Sequence, residues 1–92
     1  MNILITGSEG FIGKNLIAEL RNQKYTNIME FDIETDLTLL NEYCQKADFV
    51  FHLAGVNRPK EQSEYMKGNF VFTKTVINLL KKYNNKCPIL LL

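Results

Sequence analysis

Thr6-Gly7-Ser8-Glu9-Gly10-Phe11-Ile12-Gly13 follows the apolar, β-branched run Asn2-Ile3-Leu4-Ile5 and opens a segment of helical periodicity. The run before it reads as a strand buried on both faces. After it, Ile12, Leu16 and Leu20 recur every four residues with Ile17 beside them, while Lys14, Asn15, Glu19 and Arg21 take the opposite side. That is one face of an amphipathic helix over Phe11 to about Gln23. The glycines therefore stand where a strand passes into a helix, and each has its own task there. Gly7 turns the chain sharply. Gly10, without a β-carbon, lets a ligand come up to the main chain. Gly13 lets the helix lie close against the strand.

Such a turn delivers the first N–H groups of a helix, and the positive end of its dipole, to a pyrophosphate. A phosphate loop of the mononucleotide type is disfavoured, because no Gly-Lys-Ser/Thr follows. The residues point to a dinucleotide, NAD or NADP. Gly7, Gly10, Phe11, Ile12 and Gly13 are the expected pyrophosphate site.

Downstream, Asn27 to Asp32 reads as a second strand ending in an acid. A carboxylate at that place accepts from the adenosine ribose hydroxyls and repels a ribose phosphate, so Asp32 favours NAD. A solvated loop acid is the plain alternative, with Glu34 and Asp36 near enough to compete. Leu37 to about Lys46 fits a short helix. Ala47 to Leu53 is the clearest strand and stops at Ala54-Gly55. Asn57-Arg58-Pro59 is a loop, since proline disfavours helix at the residue before it. From about Gln62 to Tyr83 one long helix is expected, with Met66, Phe70, Thr73, Ile77 and Leu80 along one face. Pro88 to Leu92 reads as another buried strand. Strands alternating with helices imply a parallel sheet with helices on both faces.

The chain has 92 residues, 46% hydrophobic and 23% charged, with a net charge of +1. That suits one α/β domain and excludes a strongly basic nucleic-acid surface. No apolar run nears the roughly 20 residues of a membrane span. A signal peptide is not recognisable at Met1-Asn2-Ile3, so a cytoplasmic place is expected. Cys44 and Cys87 are not spaced as metal ligands and are expected to be reduced and partly buried. His52 reads as a core histidine satisfied by backbone. Phe70 and Phe72 read as packing residues. A run of Ile-Leu-Leu-Leu at an open sheet edge is something native sheets blunt. Residues 1–92 are therefore expected to be the N-terminal half of a dinucleotide-binding domain in a longer protein.

Thr-Gly-x-x-Gly-x-x-Gly, with the landmarks after it, resembles the extended short-chain dehydrogenase/reductases, the nucleotide-sugar epimerases, dehydratases and reductases of Rossmann type. Asp36-Leu37 resembles the Asp-apolar pair that contacts adenine. Asp48-Phe49-Val50-Phe51-His52-Leu53-Ala54-Gly55 resembles the strand bordering the cofactor, and Asn69 the asparagine early in the following helix. The resemblance implies cofactor contacts at Asp36, Leu37, Leu53, Ala54, Gly55 and Asn69. Leu53-Ala54-Gly55-Val56-Asn57-Arg58-Pro59 with Gly68-Asn69 is similar, more narrowly, to the bacterial capsular polysaccharide reductases of the UDP-N-acetyl-L-fucosamine pathway, the CapF-like proteins. That implies NADPH and a UDP-linked keto-sugar. Arg58 follows the strand end on the side where ligands bind in open α/β sheets and is placed to meet a sugar-nucleotide phosphate, with a solvated loop arginine as the plain alternative. A homo-oligomer is expected. NADPH stands against the reading of Asp32, and no basic residue near Asp32 favours a ribose phosphate.

The family's catalytic Tyr-x-x-x-Lys is absent. Tyr25, Tyr43, Tyr65 and Tyr83 are followed four residues later by Met29, Ala47, Asn69 and Cys87. The 92 residues are expected to bind but not to turn over. A non-catalytic nucleotide-binding module and an inactive truncated product are the competing readings.

Overall fold

The computed structural model describes residues 1–54 and 62–91, and of 62–70 the backbone alone. Four strands and three helices alternate: β1 (Ile3–Thr6), α1 (Phe11–Asn22), β2 (Ile28–Phe31), α2 (Leu37–Lys46), β3 (Phe49–His52), α3 (Gln62–Lys82) and β4 (Ile89–Leu91). The strands are parallel in the order β2-β1-β3-β4. The register sets Thr6 beside both Phe31 and His52, so β1, β2 and β3 end at one level.

From β1 the chain steps outward to β2, then crosses back over β1 to β3. Right-handed crossovers that reverse direction put their helices on opposite faces. The side chains agree. Ile3, Ile5, Ile17 and Leu53 form one buried cluster, with Ile12, Leu16 and Leu20 of α1 packed against it. Leu4, Phe31, Leu40, Cys44, Ala47, Val50, Val76 and Leu80 form the other, beneath α2 and α3. Alternation along β1 sends Ile3 and Ile5 to the first face and Leu4 and Thr6 to the second. β1 is buried on both faces, as its unbroken apolar run predicts. Each fully buried Leu, Ile or Val contributes about 1.5–3 kcal/mol.

Three expectations are corrected here. The buried stripe of α3 includes Val76 in place of Ile77, which is half-buried, and Phe72 and Leu79 pack against the same cluster. Phe72 stacks on Phe31 with ring centroids 5.5 Å apart. β4 is exposed rather than buried: it pairs only with β3 among the described residues, and Ile89, Leu90 and Leu91 all face solvent. β2 is also shorter than its apolar run suggests: Asp32 turns its backbone N–H and carbonyl to Thr35, while Asn27, just before the strand, still bonds across to β1. Asn27 O accepts from Ile3 N at 2.9 Å.

Asn85 ties the end of α3 to the α2–β3 turn. Its Nδ2 donates to Cys44 O and Ala47 O at 2.8 and 2.9 Å, and its Oδ1 accepts from Cys87 N. Cys44 is buried and Cys87 half-buried, both as free thiols. Burial pushes the Cys44 thiol up to about 11. Among the described residues no helix is long and apolar enough to cross a membrane.

Candidate dinucleotide site

The reversal of connection order falls between β1 and β3. In open α/β sheets, ligands bind in the crevice outside the carboxyl ends of the strands at such a point. The glycine turn leaves β1 there.

Gly7 has φ +74°, in the left-handed region, and a β-carbon on it would lie 2.8 Å from Ala54 N, Leu53 C and Leu53 O. The turn is thus pressed against the main chain at the end of β3. A β-carbon on Gly13 would run into Gly7 O and come within 3.0 Å of Ser8 Cα, so α1 rests directly on the turn. Gly10 differs. Its φ of −74° suits any residue, and among the described residues an added β-carbon would meet Gly7 O alone, at 3.3 Å. Two of the glycines are demanded by the fold, whereas Gly10, at the helix start, is pressed far less closely by the described main chain.

That start is bare. Gly10 is the N-cap of α1 and offers no side-chain hydrogen bond, and the first turn carries no acid. The opening N–H groups of a helix have no partner within it. Among the described residues no side chain of the N-cap takes them, and the positive dipole end stands at the turn. Phe11 is 77% exposed at the turn, and Ile12 packs into the α1 cluster.

The turn is also braced from β2. Gly7 N and Ser8 N both donate to Phe31 O, at 2.9 and 3.3 Å, and Glu9 N donates to Asp32 Oδ2 at 2.7 Å. Asp32 Oδ1 accepts from Ile33 N at 2.6 Å, Asp32 N donates to Thr35 Oγ1, and Asp32 O accepts from Thr35 N. With 5% exposure Asp32 is not a solvated loop acid, which corrects that alternative. Its carboxylate holds the glycine turn through Glu9 N. Glu34 is exposed. Asp36 is the N-cap of α2, accepting from Thr38 N at 2.9 Å and Thr38 Oγ1 at 3.0 Å, and these bonds lower its pKa below the usual value. Leu37, next to it, is 66% exposed.

At the end of β3, Leu53 is buried and Ala54 half-buried against the turn. Gly55 and Arg58 lie outside the described residues. Asn69 lies on α3, and its side chain is likewise outside them.

Sequence reasoning missed the polar groups beneath the turn. Thr6 is fully buried, and its Oγ1 lies 2.7 Å from His52 Nδ1 and accepts from Ala54 N at 3.3 Å. His52 Nε2 lies 2.8 Å from Thr73 Oγ1. His52 is a satisfied core histidine, but its partners are two hydroxyls rather than backbone. Burial lowers its pKa and keeps the ring neutral. The only signal for this in the sequence was the hydroxyl residue directly before Gly7.

A parallel sheet, a three-glycine turn at its switch point and an uncapped helix beyond define a Rossmann-type dinucleotide-binding unit. The chain belongs to the NAD dependent epimerase/dehydratase family, whose model matches residues 3–91. It is 36% identical over 90 residues to the UDP-2-acetamido-2,6-beta-L-arabino-hexul-4-ose reductase of Pseudomonas aeruginosa, a match covering 98% of this chain and 24% of the relative. It is 39% identical over 64 residues to the GDP-6-deoxy-D-talose 4-dehydrogenase of Aggregatibacter actinomycetemcomitans, covering 61% of this chain and 21% of that protein. The crystal structure of the capsular polysaccharide assembling protein CapF from Staphylococcus aureus superimposes with a TM-score of 0.77 at 42% identity, covering 97% of this chain and 24% of that one. The chain thus spans about a quarter of the length of these relatives.

Proposed function

We propose that residues 1–92 are the dinucleotide-holding part of a nucleotide-sugar oxidoreductase that reduces a UDP-linked keto-sugar in capsular or surface polysaccharide synthesis. One observation carries the reading. An uncapped helix start lies behind a turn in which main chain closes on Gly7 and Gly13 and, among the described residues, Gly7 O alone approaches Gly10. The relatives named above act on nucleotide sugars, and their likeness supports the substrate class.

In this reading the N–H groups at Phe11, Ile12 and Gly13 receive the pyrophosphate, and Gly7 and Gly10 leave room for it. Asp32 receives the adenosine ribose, and Asp36 and Leu37 border the adenine. Leu53, Ala54, Gly55 and Asn69 line the route toward the nicotinamide, and Arg58 meets a phosphate of the substrate. Bound there, the nicotinamide supplies or takes the hydride. The chain's own residues bind, orient and exclude water; none of the assigned residues belongs to a Tyr-x-x-x-Lys acid–base pair. The 92 residues alone therefore bind without turnover, and the homo-oligomer and the cytoplasmic location belong to the same reading.

Calorimetric titration with NADH and NADPH tests it. Saturable heat is expected, and Gly10→Val should abolish it; affinity unchanged by Gly10→Val would remove the turn from the site. The choice of dinucleotide rests on two opposed supports. A buried carboxylate at Asp32 disfavours a ribose phosphate, whereas the likeness to the capsular reductases favours NADPH. On the electrostatic argument NADH binds tighter, and Asp32→Asn narrows the gap. Tighter NADPH binding would take Asp32 out of the ribose site and leave the turn in place.

A further inference from the structure

Thr6, His52 and Thr73 come from β1, β3 and α3 and meet in the interior. Packing alone does not require them. The neighbours of His52 include the Phe72 ring, 5.5 Å between centroids, and an apolar side chain of similar size would fill the same place. Buried polar groups cost stability unless each is satisfied, and a fully satisfied network rigidifies what it joins.

Donor and acceptor accounting gives the network a direction. Thr6 Oγ1 accepts from Ala54 N at 3.3 Å. The hydroxyl has one hydrogen to give, and His52 Nδ1, 2.7 Å away, is its acceptor among the described residues. A neutral imidazole accepting at Nδ1 carries its hydrogen at Nε2, which donates to Thr73 Oγ1 at 2.8 Å. The chain of bonds thus runs from Ala54 N–H through Thr6 to His52, and from His52 on to Thr73. Leu53 N donates in parallel to Thr6 O at 3.1 Å.

Ala54 and Leu53 are the main-chain floor on which Gly7 rests, at 2.8 Å from a virtual β-carbon. Whatever fixes residues 53 and 54 also fixes the turn. We infer that His52, as the Nε2–H tautomer, is a positioning residue that couples α3 through Thr73, Thr6 and Ala54 to the phosphate-binding turn, and so sets dinucleotide affinity without touching the dinucleotide. This rests on the dinucleotide reading above.

The test is NADH titration of the full chain, with thermal unfolding recorded for each variant. Thr73→Val keeps the shape of the side chain and removes its hydroxyl. It should weaken NADH about two- to tenfold, the size of one net hydrogen bond. Thr73→Ser should restore the affinity, which a loss of packing would not allow. His52→Phe should weaken NADH at least as much, and adding Thr73→Val to it should cost nothing further, because the link is already cut. The ¹⁵N shifts of the imidazole should show a protonated Nε2 and a bare Nδ1. Wild-type affinity in Thr73→Val, or a protonated Nδ1, overturns the proposal alone. Absence of NADH and NADPH binding in the wild type overturns the dinucleotide reading and the proposal together. Should His52→Phe fail to fold, the two Thr73 variants and the tautomer still decide.

Discussion

The helices α1 and α2 both begin just past the carboxyl end of a strand, and they meet the same electrostatic problem in opposite ways. α2 satisfies itself: Asp36 caps it and takes two hydrogen bonds from Thr38. α1 starts at Gly10 with no side-chain cap and no acid in its first turn. A glycine in place of a good N-cap costs a helix about a few tenths of a kcal/mol in general. Here the missing cap is offset by bracing from outside the helix, through Gly13 against Gly7 and through Asp32 on Glu9 N. One helix start is closed for stability, and the other is kept open by a scaffold that holds its shape. The difference supports the proposed phosphate site independently of the glycine pattern.

The largest effect should come from breaking that scaffold. Gly13→Ala puts a methyl group against Gly7 O and Ser8 Cα, both main chain, so no rotamer change relieves the clash. Overpacking of this kind costs about 1–3 kcal/mol or more, and each kcal/mol lowers Tm by roughly 4–8 °C in a domain of this size. Thermal unfolding should show that drop, and calorimetry should show NADH binding lost with it. A wild-type Tm would mean that α1 does not rest on the turn.

A smaller and more selective effect should come from making α1 resemble α2. Gly10→Asp supplies the absent cap at φ −74°, and among the described residues the one close neighbour of its β-carbon is Gly7 O at 3.3 Å. Stability should hold or rise by a few tenths of a kcal/mol. Dinucleotide affinity should fall at least tenfold, since like unit charges about 4 Å apart near a protein surface repel by a few kcal/mol. A capped α1 that still binds NADH as the wild type does would show that the helix start is not where the pyrophosphate sits.

The two helix starts also differ in how far they could be read from the sequence. The bounds of α2 were legible because its cap, Asp36, and its apolar pair, Leu40 and Cys44, are local features. The glycine turn was legible for the same reason, since strand, turn and helix are contiguous. The bracing by Asp32 was not, because it depends on β2 lying beside β1, which brings residue 32 to residue 9. The partners of His52 are remote in sequence for the same reason, and a hydroxyl gives no periodic signal. On α3 the buried row is Phe72, Val76 and Leu80 with Ile77 at its margin; apolar residues stand at both 76 and 77, and the rotation of the helix against its cluster, which buries Val76, is not set by the spacing alone. The exposure of β4 depends on what lies next to it, which composition does not encode.

The smallest effect concerns acid, and it separates the two helices by their caps. The N–H and hydroxyl of Thr38 hold the Asp36 carboxyl below its ordinary value of 3.8. A carboxyl whose pKa is depressed by folding stabilises the folded form above its unfolded pKa, and that contribution is lost as pH falls through the folded pKa. The cap of α2 therefore persists from neutral pH down to 3.8 and releases below it. α1 has no titrating cap to release. In an NMR titration the Thr38 amide should shift with an inflection below 3.8, with the amides of the first turn of α1 lacking a cap transition of their own. Replacing Asp36 with Asn keeps an acceptor at the cap and should remove the inflection from Thr38. If Thr38 instead titrated at or above the ordinary carboxyl value, Asp36 would not be capping α2, and the contrast between a closed and an open helix start would lose its closed member.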